Sequence, residues 1–180
     1  LWAGIKQIEW LSASAVVLQE SELIPNLIGI PLIYAGVSFL FDKWIWKMKP
    51  LNKILGIPNL NGQWTGKLQS SFDDGDYDMI LEIKQTWTKI YCKSTFGKSN
   101  SGSKIAAVYV NEGTEPVLYF SFQNQSRNLD TKNQQYDGFN VLRFDEKNSK
   151  LSGKYFNDRP NPKKSIKGGN IGNIELLRQG

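Results

Sequence analysis

Two patterns of apolar and polar side chains divide this chain. Residues 23–41 (LIPNLIGIPLIYAGVSFLF) contain no charged side chain. As a helix rising about 1.5 Å per residue, this run would be about 28 Å long, close to the roughly 30 Å hydrocarbon core of a bilayer. Beyond residue 60 the pattern changes to alternation with a period of two, which predicts β-strands.

The residues after the apolar run resemble a membrane boundary. Trp44 and Trp46 lie among three lysines, Lys43, Lys47 and Lys49. Tryptophan is enriched at membrane interfaces, and lysine-rich flanks stay on the cytoplasmic side. We therefore predict a membrane anchor over residues 1–49 whose main span is 23–41, followed by a cytoplasmic domain. The alternative is a core helix of a soluble protein.

The first 19 residues are less regular. Residues 11–18 (LSASAVVL) are apolar, but Lys6 and Glu9 interrupt a longer run. This segment fits a short first transmembrane helix or a helix lying in the membrane interface. The anchor is thus predicted to hold one or two helices.

Residues 50–60 are predicted as a linker, and residues 61–180 as eight short strands separated by turn residues. The predicted strands are Gly62–Ser70, Tyr77–Gln85, Lys89–Thr95, Lys104–Asn111, Val117–Gln123, Gly138–Asp145, Lys150–Phe156 and Ile171–Arg178. Short strands without helices between them indicate an all-β, antiparallel, up-and-down barrel of the lipocalin-like kind or a sandwich, and we favour the barrel. Trp64 in the first strand is expected to plug one end, with Arg178 of the last strand stacked on it.

Composition excludes several kinds of chemistry. There is no histidine and one cysteine, Cys92. A Ser-His-Asp or Cys-His catalytic site, a histidine or four-cysteine metal site and an intrachain disulfide are therefore excluded. No nucleophile–base pair is visible, so we predict a protein that is not an enzyme and has no catalytic residue, cofactor or metal.

The net charge of +5 belongs entirely to residues 51–180, because residues 1–50 contain equal numbers of acidic and basic side chains. The excess is greatest around Arg159, Lys163, Lys164 and Lys167. This basic segment fits a lid that neutralises ligand phosphates, or a solvated loop that contacts anionic lipid.

Two further segments carry groups suited to a nucleobase. Gln85-Thr86-Trp87-Thr88 joins two predicted strands, and Ser99, Ser101 and Ser103 cluster in the next loop. Hydroxyl groups and an indole at a barrel rim could bond to and stack on a base, although ordinary turn chemistry also explains them.

Three motifs, together with the membrane segment, resemble one protein family. They are residues 60–66 (LNGQWTG), residues 83–87 (IKQTW) with the following serines, and residues 151–159 (LSGKYFNDR). The chain is similar to the two-transmembrane, β-strand-rich effectors of CBASS and related anti-phage systems, which use cyclic nucleotides.

The resemblance implies a barrel that binds a cyclic di- or oligonucleotide made by a partner nucleotidyltransferase or cyclase. It further implies homo-oligomers at the bacterial inner membrane, with the barrel in the cytoplasm, and membrane disruption that stops growth or kills the cell. DNA and RNA polymers are not expected as partners. The sequence leaves open whether the nucleotide activates or inhibits.

We accordingly predict a ligand site in which Trp87 or Tyr155 stacks on a base, Arg159 pairs with phosphate, and hydroxyl and amide groups add polar contacts. Its residues are Thr86, Trp87, Ser101, Ser103, Tyr155, Asn157, Arg159, Lys163 and Lys164. Two other functions remain open, a membrane-tethered lipocalin-like carrier of an apolar ligand and an adaptor that binds another protein.

Overall fold

The computed structural model describes residues 23–96, 99–111, 113–126, 136–159 and 169–180, with the backbone alone at residues 23–28, 125 and 126. The chain divides into two compact units, residues 1–45 and 46–180. The predicted helix within residues 1–19 lies outside the described residues.

The first unit contains helix α1, Leu23–Lys43, which covers the predicted apolar run. Many of its apolar side chains are exposed, among them Ile30, Leu32, Ile33, Tyr34, Val37 and Phe39. Near its end, the rings of Phe39 and Trp44 meet edge to face with centroids 5.9 Å apart. In the part of the chain that the structure describes, no helix has both the length and the apolar character that crossing a membrane requires.

A 3₁₀ helix, Ile45–Lys47, spans the boundary between the two units in the chain, and a short helix α2, Lys49–Leu55, follows it in the second unit. Pro50 suits the first turn of α2, where its missing N–H group has no helical partner. Gly56 ends the helix with φ +66°, a conformation that costs glycine little.

Eight antiparallel strands then close into a barrel in which each strand pairs with its neighbours in sequence and β1 pairs with β8. The up-and-down barrel predicted from the sequence is confirmed. The strands are β1 Gly62–Ser70, β2 Gly75–Gln85, β3 Ile90–Phe96, β4 Ser99–Tyr109, β5 Val117–Ser126, β6 Asp137–Asp145, β7 Lys150–Asn157 and β8 Asn170–Arg178.

Strand β4 begins earlier than predicted, so Ser99, Ser101 and Ser103 lie in a strand and not in a loop. Small polar residues in this stretch look like a turn in sequence. Their neighbours across β5 nevertheless continue the ladder, as in the pair Ser101 and Asn124.

Alternation places one face of each strand inside the barrel. Met79, Leu81 and Ile83 are buried, whereas Ile80 and Lys84 between them are exposed, as the sequence predicts. The inward side chains of all eight strands fill most of the barrel with a continuous apolar core.

The barrel is closed at the end where β1 begins. Trp64 is fully buried there, and its indole Nε1 donates a hydrogen bond to the Leu60 carbonyl at 3.0 Å. The Arg178 guanidinium lies 4.7 Å from the centre of the Trp64 ring and donates to the Asn61 carbonyl at 3.0 Å. The predicted stacking of Arg178 on Trp64 is confirmed.

Candidate functional site

A cavity lies at the other end of the barrel, which we call the open end. This end carries the connections that follow β1, β3, β5 and β7, because successive turns of an up-and-down barrel alternate between its two ends. The cavity has a volume of about 160 Å³. It is lined by Leu68, Ser70, Phe72, Tyr77, Met79, Ser94, Phe96, Ser99, Ser101, Phe122, Tyr136, Asn140, Tyr155, Asn157 and Arg159.

The inner wall of the cavity carries buried polar groups. Ser94, Ser101 and Asn140 are each only 3 % exposed. Within the described part of the chain, the Ser101 hydroxyl has no hydrogen-bond partner. Buried polar groups are nearly always paired in native proteins, and an unpaired one costs about 1–3 kcal/mol. This hydroxyl is therefore available to a polar atom that enters the cavity.

Aromatic rings form much of the rest of the lining. The Tyr155 hydroxyl donates to Ser70 Oγ at 2.7 Å, which fixes its ring against the lumen. Burial raises the pKa of both Tyr136 and Tyr155 above the ordinary tyrosine value. The Tyr77 hydroxyl donates to the Asp73 carboxylate, and this bond, helped by burial, raises the pKa of Tyr77 to about 12. These three hydroxyls thus stay neutral at physiological pH, and their rings offer flat faces for stacking.

Arg159 places a positive charge at the cavity. Its guanidinium lies 3.8 Å from the centre of the Phe72 ring and 5.5 Å from that of Tyr136. No carboxylate is among the lining residues, all of which belong to the described part of the chain. An anion at Arg159 would meet a cation already oriented by two aromatic rings, and guanidinium suits phosphate well because its N–H groups match the phosphate oxygens.

Asn157 fixes the position of the Arg159 backbone through hydrogen bonds. Its Oδ1 accepts hydrogen bonds from the Arg159 backbone N–H at 3.2 Å and from Asn170 Nδ2 at 3.1 Å. Asn170 Nδ2 also donates to the Arg159 carbonyl at 2.8 Å. The Asn157 oxygen is thus occupied within the protein, so this residue positions Arg159 and has only its amide N–H groups left for a ligand.

The structure brings together four of the predicted site residues, Ser101, Tyr155, Asn157 and Arg159. Lys163 and Lys164 lie outside the described residues. Participation of each in ligand binding stays a prediction.

Thr86 and Trp87 are not among the residues that line this cavity. They lie in the connection after β2, at the closed end, since even-numbered and odd-numbered turns are at opposite ends. Thr86 Oγ1 accepts from the Lys89 N–H at 3.1 Å and so closes the turn. The Trp87 ring lies 6.3 Å from that of the buried Trp46.

Ser103 also serves the wall of the barrel. Its Oγ accepts a hydrogen bond from the Cys92 backbone N–H at 2.9 Å, and it is not among the lining residues. Ser103 therefore links strands β3 and β4, although it lies only two residues from Ser101 in the sequence.

Several lining residues were not predicted from the sequence, notably Tyr77, Phe72, Phe96, Tyr136, Ser94 and Asn140. A usable signal was present for those in strands, because inward positions next to odd-numbered turns must face the open end. Tyr136 follows a polar stretch without a strand pattern, so no such signal marked it.

Comparison with known proteins places this geometry in context. Residues 55–176 match the family model described as the Cap15, cyclic dinucleotide receptor domain. The chain is 28 % identical over 158 residues to CD-NTase-associated protein 15 of Yersinia aleksiciae, covering 87 % of this chain and 76 % of the relative. It is 28 % identical over 129 residues to the protein of the same name from Escherichia albertii, covering 68 % of this chain and 66 % of that relative.

Proposed function

The chain belongs to the Cap15 cyclic dinucleotide receptor family, as residues 55–176 match its family model, and from this premise we propose that its barrel binds a cyclic dinucleotide at the open end. The predicted resemblance to CBASS effectors is confirmed at the level of the family. The ligand would be made by a partner enzyme of the CD-NTase class, to which the names of both relatives refer.

The observation that carries the proposal is the Ser101 hydroxyl, which has no hydrogen-bond partner among the described residues and lies in a cavity that also holds aromatic rings and an arginine. These three kinds of group match the three parts of a nucleotide that proteins recognise. A base offers polar edges and a flat face, and a phosphate offers negative oxygens. A purely apolar ligand would leave the buried Ser101 hydroxyl without a hydrogen-bond partner from the ligand, which disfavours the apolar carrier.

The size of the cavity suggests how much of the ligand enters. A volume of about 160 Å³ is below the roughly 300–1,000 Å³ of pockets that enclose whole drug-sized ligands. We therefore propose that one base enters between the aromatic side chains and reaches Ser101, while a phosphate stays near Arg159. The second nucleotide would lie nearer the mouth of the cavity, and contacts to it from Lys163 and Lys164 stay a prediction.

Calorimetric titration of the full chain with a panel of cyclic dinucleotides tests this proposal. Arg159→Ala should weaken binding of the best ligand by about 10- to 150-fold, because a hydrogen bond to a charged group contributes about 1.5–3 kcal/mol. Lys154→Ala is the matched control, since Lys154 is an exposed cation of β7 outside the cavity lining. A folded protein that binds no member of the panel would sink the proposal.

We further propose that the N-terminal unit holds the barrel at the cytoplasmic face of the bacterial inner membrane, and that the nucleotide controls homo-oligomerisation and membrane disruption. Exposed apolar side chains such as Ile33, Tyr34 and Phe39 support membrane association, because a helix that is apolar on all sides favours an apolar environment. Membrane fractionation with alkaline carbonate washing tests the association. Release of the full chain into the wash would contradict it.

The effect on cells needs its own experiment. Co-expression with a cyclase that makes the bound dinucleotide should arrest growth and let a membrane-impermeant dye enter, and Arg159→Ala should reduce both effects. Growth arrest without dye entry would argue for an effector that acts by another route.

A further inference from the structure

Strand β4 is paired along its whole length on one side only. Its pairing with β5 runs from Ser99 to Tyr109, whereas its pairing with β3 runs only from Ser99 to Gly102. Past that point, the described residues of β3 and β4 form no further backbone ladder. The Cys92 N–H bonds instead to the Ser103 side chain at 2.9 Å. The β3 side of residues 104–109 is therefore an open edge in an otherwise closed wall.

The direction of one hydrogen bond identifies the residues that face this open edge. The Ile105 backbone N–H donates to Ser121 Oγ on β5 at 3.1 Å, so the polar backbone groups of Ile105 point toward β5. Backbone N–H and C=O groups alternate between the two sides of a strand from one residue to the next. Those of Ala106 and Val108 consequently point toward the open edge.

Past Lys104, which lies at a bulge, the open edge lacks the features by which proteins usually prevent unwanted pairing. Natural edge strands carry charges, proline or bulges, or are covered by other segments. Residues 105–110 (IAAVYV) contain no charge and no proline, and the bulge between Ser103 and Ile105 lies before them. Ile105 is 72 % exposed and Tyr109 is 56 % exposed, so no segment among the described residues covers their side chains.

We propose that this open edge is a self-association site, at which residues 104–110 of two copies of the chain pair as antiparallel strands. The partner we assign is a second copy because the segment is complementary to itself. With Ala107 on a two-fold axis, Ala106 of each copy would exchange backbone hydrogen bonds with Val108 of the other. The proposal goes beyond the ligand site, since it depends on the backbone of β4 and on no nucleotide contact.

Side chains on the outer face agree with this register. Ala107 would meet Ala107 of the second copy, where the two backbones come closest, and its small methyl group fits such an approach. Ile105 would lie opposite Tyr109 of the second copy, a β-branched and aromatic pair of the kind that stabilises sheets. Lys104 would face the uncharged Val110, so like charges would not meet.

Disulfide trapping tests both the surface and its register. In the full chain, Ala107→Cys should give a disulfide-linked dimer under mild oxidation, because residues on the axis would be about 4.5 Å apart between Cα atoms, within disulfide range. Tyr109→Cys is the matched control on the same face of the same strand. Two copies of position 109 would be about 13 Å apart along the strands and should not form the bond.

The native thiol should not interfere with trapping. Cys92 is fully buried, and burial raises its pKa to about 12, so it stays protonated and enclosed. The measurement is the dimer fraction on a non-reducing gel across a range of protein concentrations, with and without a cyclic dinucleotide. We expect at least a roughly tenfold larger dimer fraction for Ala107→Cys than for Tyr109→Cys.

A second variant separates edge pairing from simple proximity. Adding Ala106→Pro to Ala107→Cys removes an N–H group from the open edge and should abolish trapping, because proline cannot donate to the second strand. Circular dichroism and size-exclusion chromatography must show that this variant is folded. If it is unfolded, Ala107→Lys replaces it, and light scattering measures the dimer fraction. Gln69→Lys, on a strand that is paired on both sides, is the control for that variant.

The outcomes are decisive for the site and independent of the nucleotide proposal. No trapping at position 107 under any condition overturns the proposal, as does equal trapping at position 109. Dimers that persist in Ala107→Lys at the wild-type level also overturn it. A protein that fails to bind nucleotide yet traps at position 107 would refute the proposed function alone.

Discussion

Replacing Ser101 with alanine should stabilise the ligand-free protein and weaken nucleotide binding, two effects of opposite sign from one substitution. The Ser101 hydroxyl is buried and lacks a partner among the described residues, so the folded state carries its desolvation cost. That cost is about 1–3 kcal/mol for a neutral polar group. Removing one oxygen leaves only a small void, so we expect the free energy of unfolding to rise by about 1 kcal/mol.

Ligand binding should respond in the other direction. If a base edge pairs with Ser101 in the complex, alanine leaves that polar atom of the ligand buried and unpaired. A cost of about 1–3 kcal/mol corresponds to a loss in affinity of about 5- to 150-fold. Urea unfolding gives the stability change and calorimetry gives the affinity change, both on the full chain.

Ser103→Ala is the matched control, because Ser103 lies two positions away on the same strand but bonds to the Cys92 N–H. Its loss should destabilise the protein by about 1 kcal/mol and leave affinity unchanged. Two results would contradict this prediction. One is a Ser101→Ala variant whose free energy of unfolding is lower by about 1 kcal/mol or more, and the other is a pair of serine variants that both bind nucleotide as well as the wild type.

Three further predictions concern Arg178 and Trp87 at the closed end and Tyr77 in the cavity. Arg178→Met should lower the free energy of unfolding by about 3 kcal/mol, because it removes charged hydrogen bonds and the stacking on Trp64. The control is Lys150→Met, which breaks an exposed ion pair and should lower that free energy by at most about 1 kcal/mol. Urea denaturation measures both. Trp87→Ala should leave nucleotide affinity unchanged in calorimetry, and a roughly tenfold loss would show that this residue reaches the ligand. The pKa of Tyr77 is raised from the ordinary tyrosine value of 10.0 to about 12, so the folded state releases this proton at a higher pH than the unfolded state does. The contribution of Tyr77 to the free energy of unfolding is therefore present below the lower of these pKa values and is lost as pH rises from one to the other. Tyr77→Phe should therefore make the free energy of unfolding fall less steeply over that range, and an unchanged slope would refute the assignment.

Much of the barrel could be predicted from alternation alone. In β2, apolar residues at every second position require one face to be buried, and this requirement fixes both the strand and its inward side chains. Strand β4 was harder, because Ser99, Ser101 and Ser103 have no apolar pattern and owe their extended conformation to pairing with β5. The intrinsic β-propensity of a segment does not show whether a strand far along the chain will form backbone hydrogen bonds with it.

The candidate site was predicted only in part, and turn parity explains the difference. Arg159 follows β7 and Trp87 follows β2, so an up-and-down barrel must put them at opposite ends. This rule needs only the strand count, so the strand pattern of the sequence is enough to separate the two residues. The sequence could not reveal that Asn157 Oδ1 accepts hydrogen bonds from the Arg159 backbone and from Asn170, since the bond from Asn170 joins separate strands.

The order of the elements, the inward face of most strands and the absence of histidine chemistry can all be read from the amino-acid sequence, because they depend on composition and on short-range periodicity. Tertiary structure decided which polar groups are buried together, which end of the barrel stays open and where β3 and β4 part. These features arise from contacts between residues far apart in the chain, such as Tyr155 and Ser70 at the cavity and Cys92 and Ser103 in the wall. Closure of the barrel brings such residues together, and no local pattern encodes their meeting.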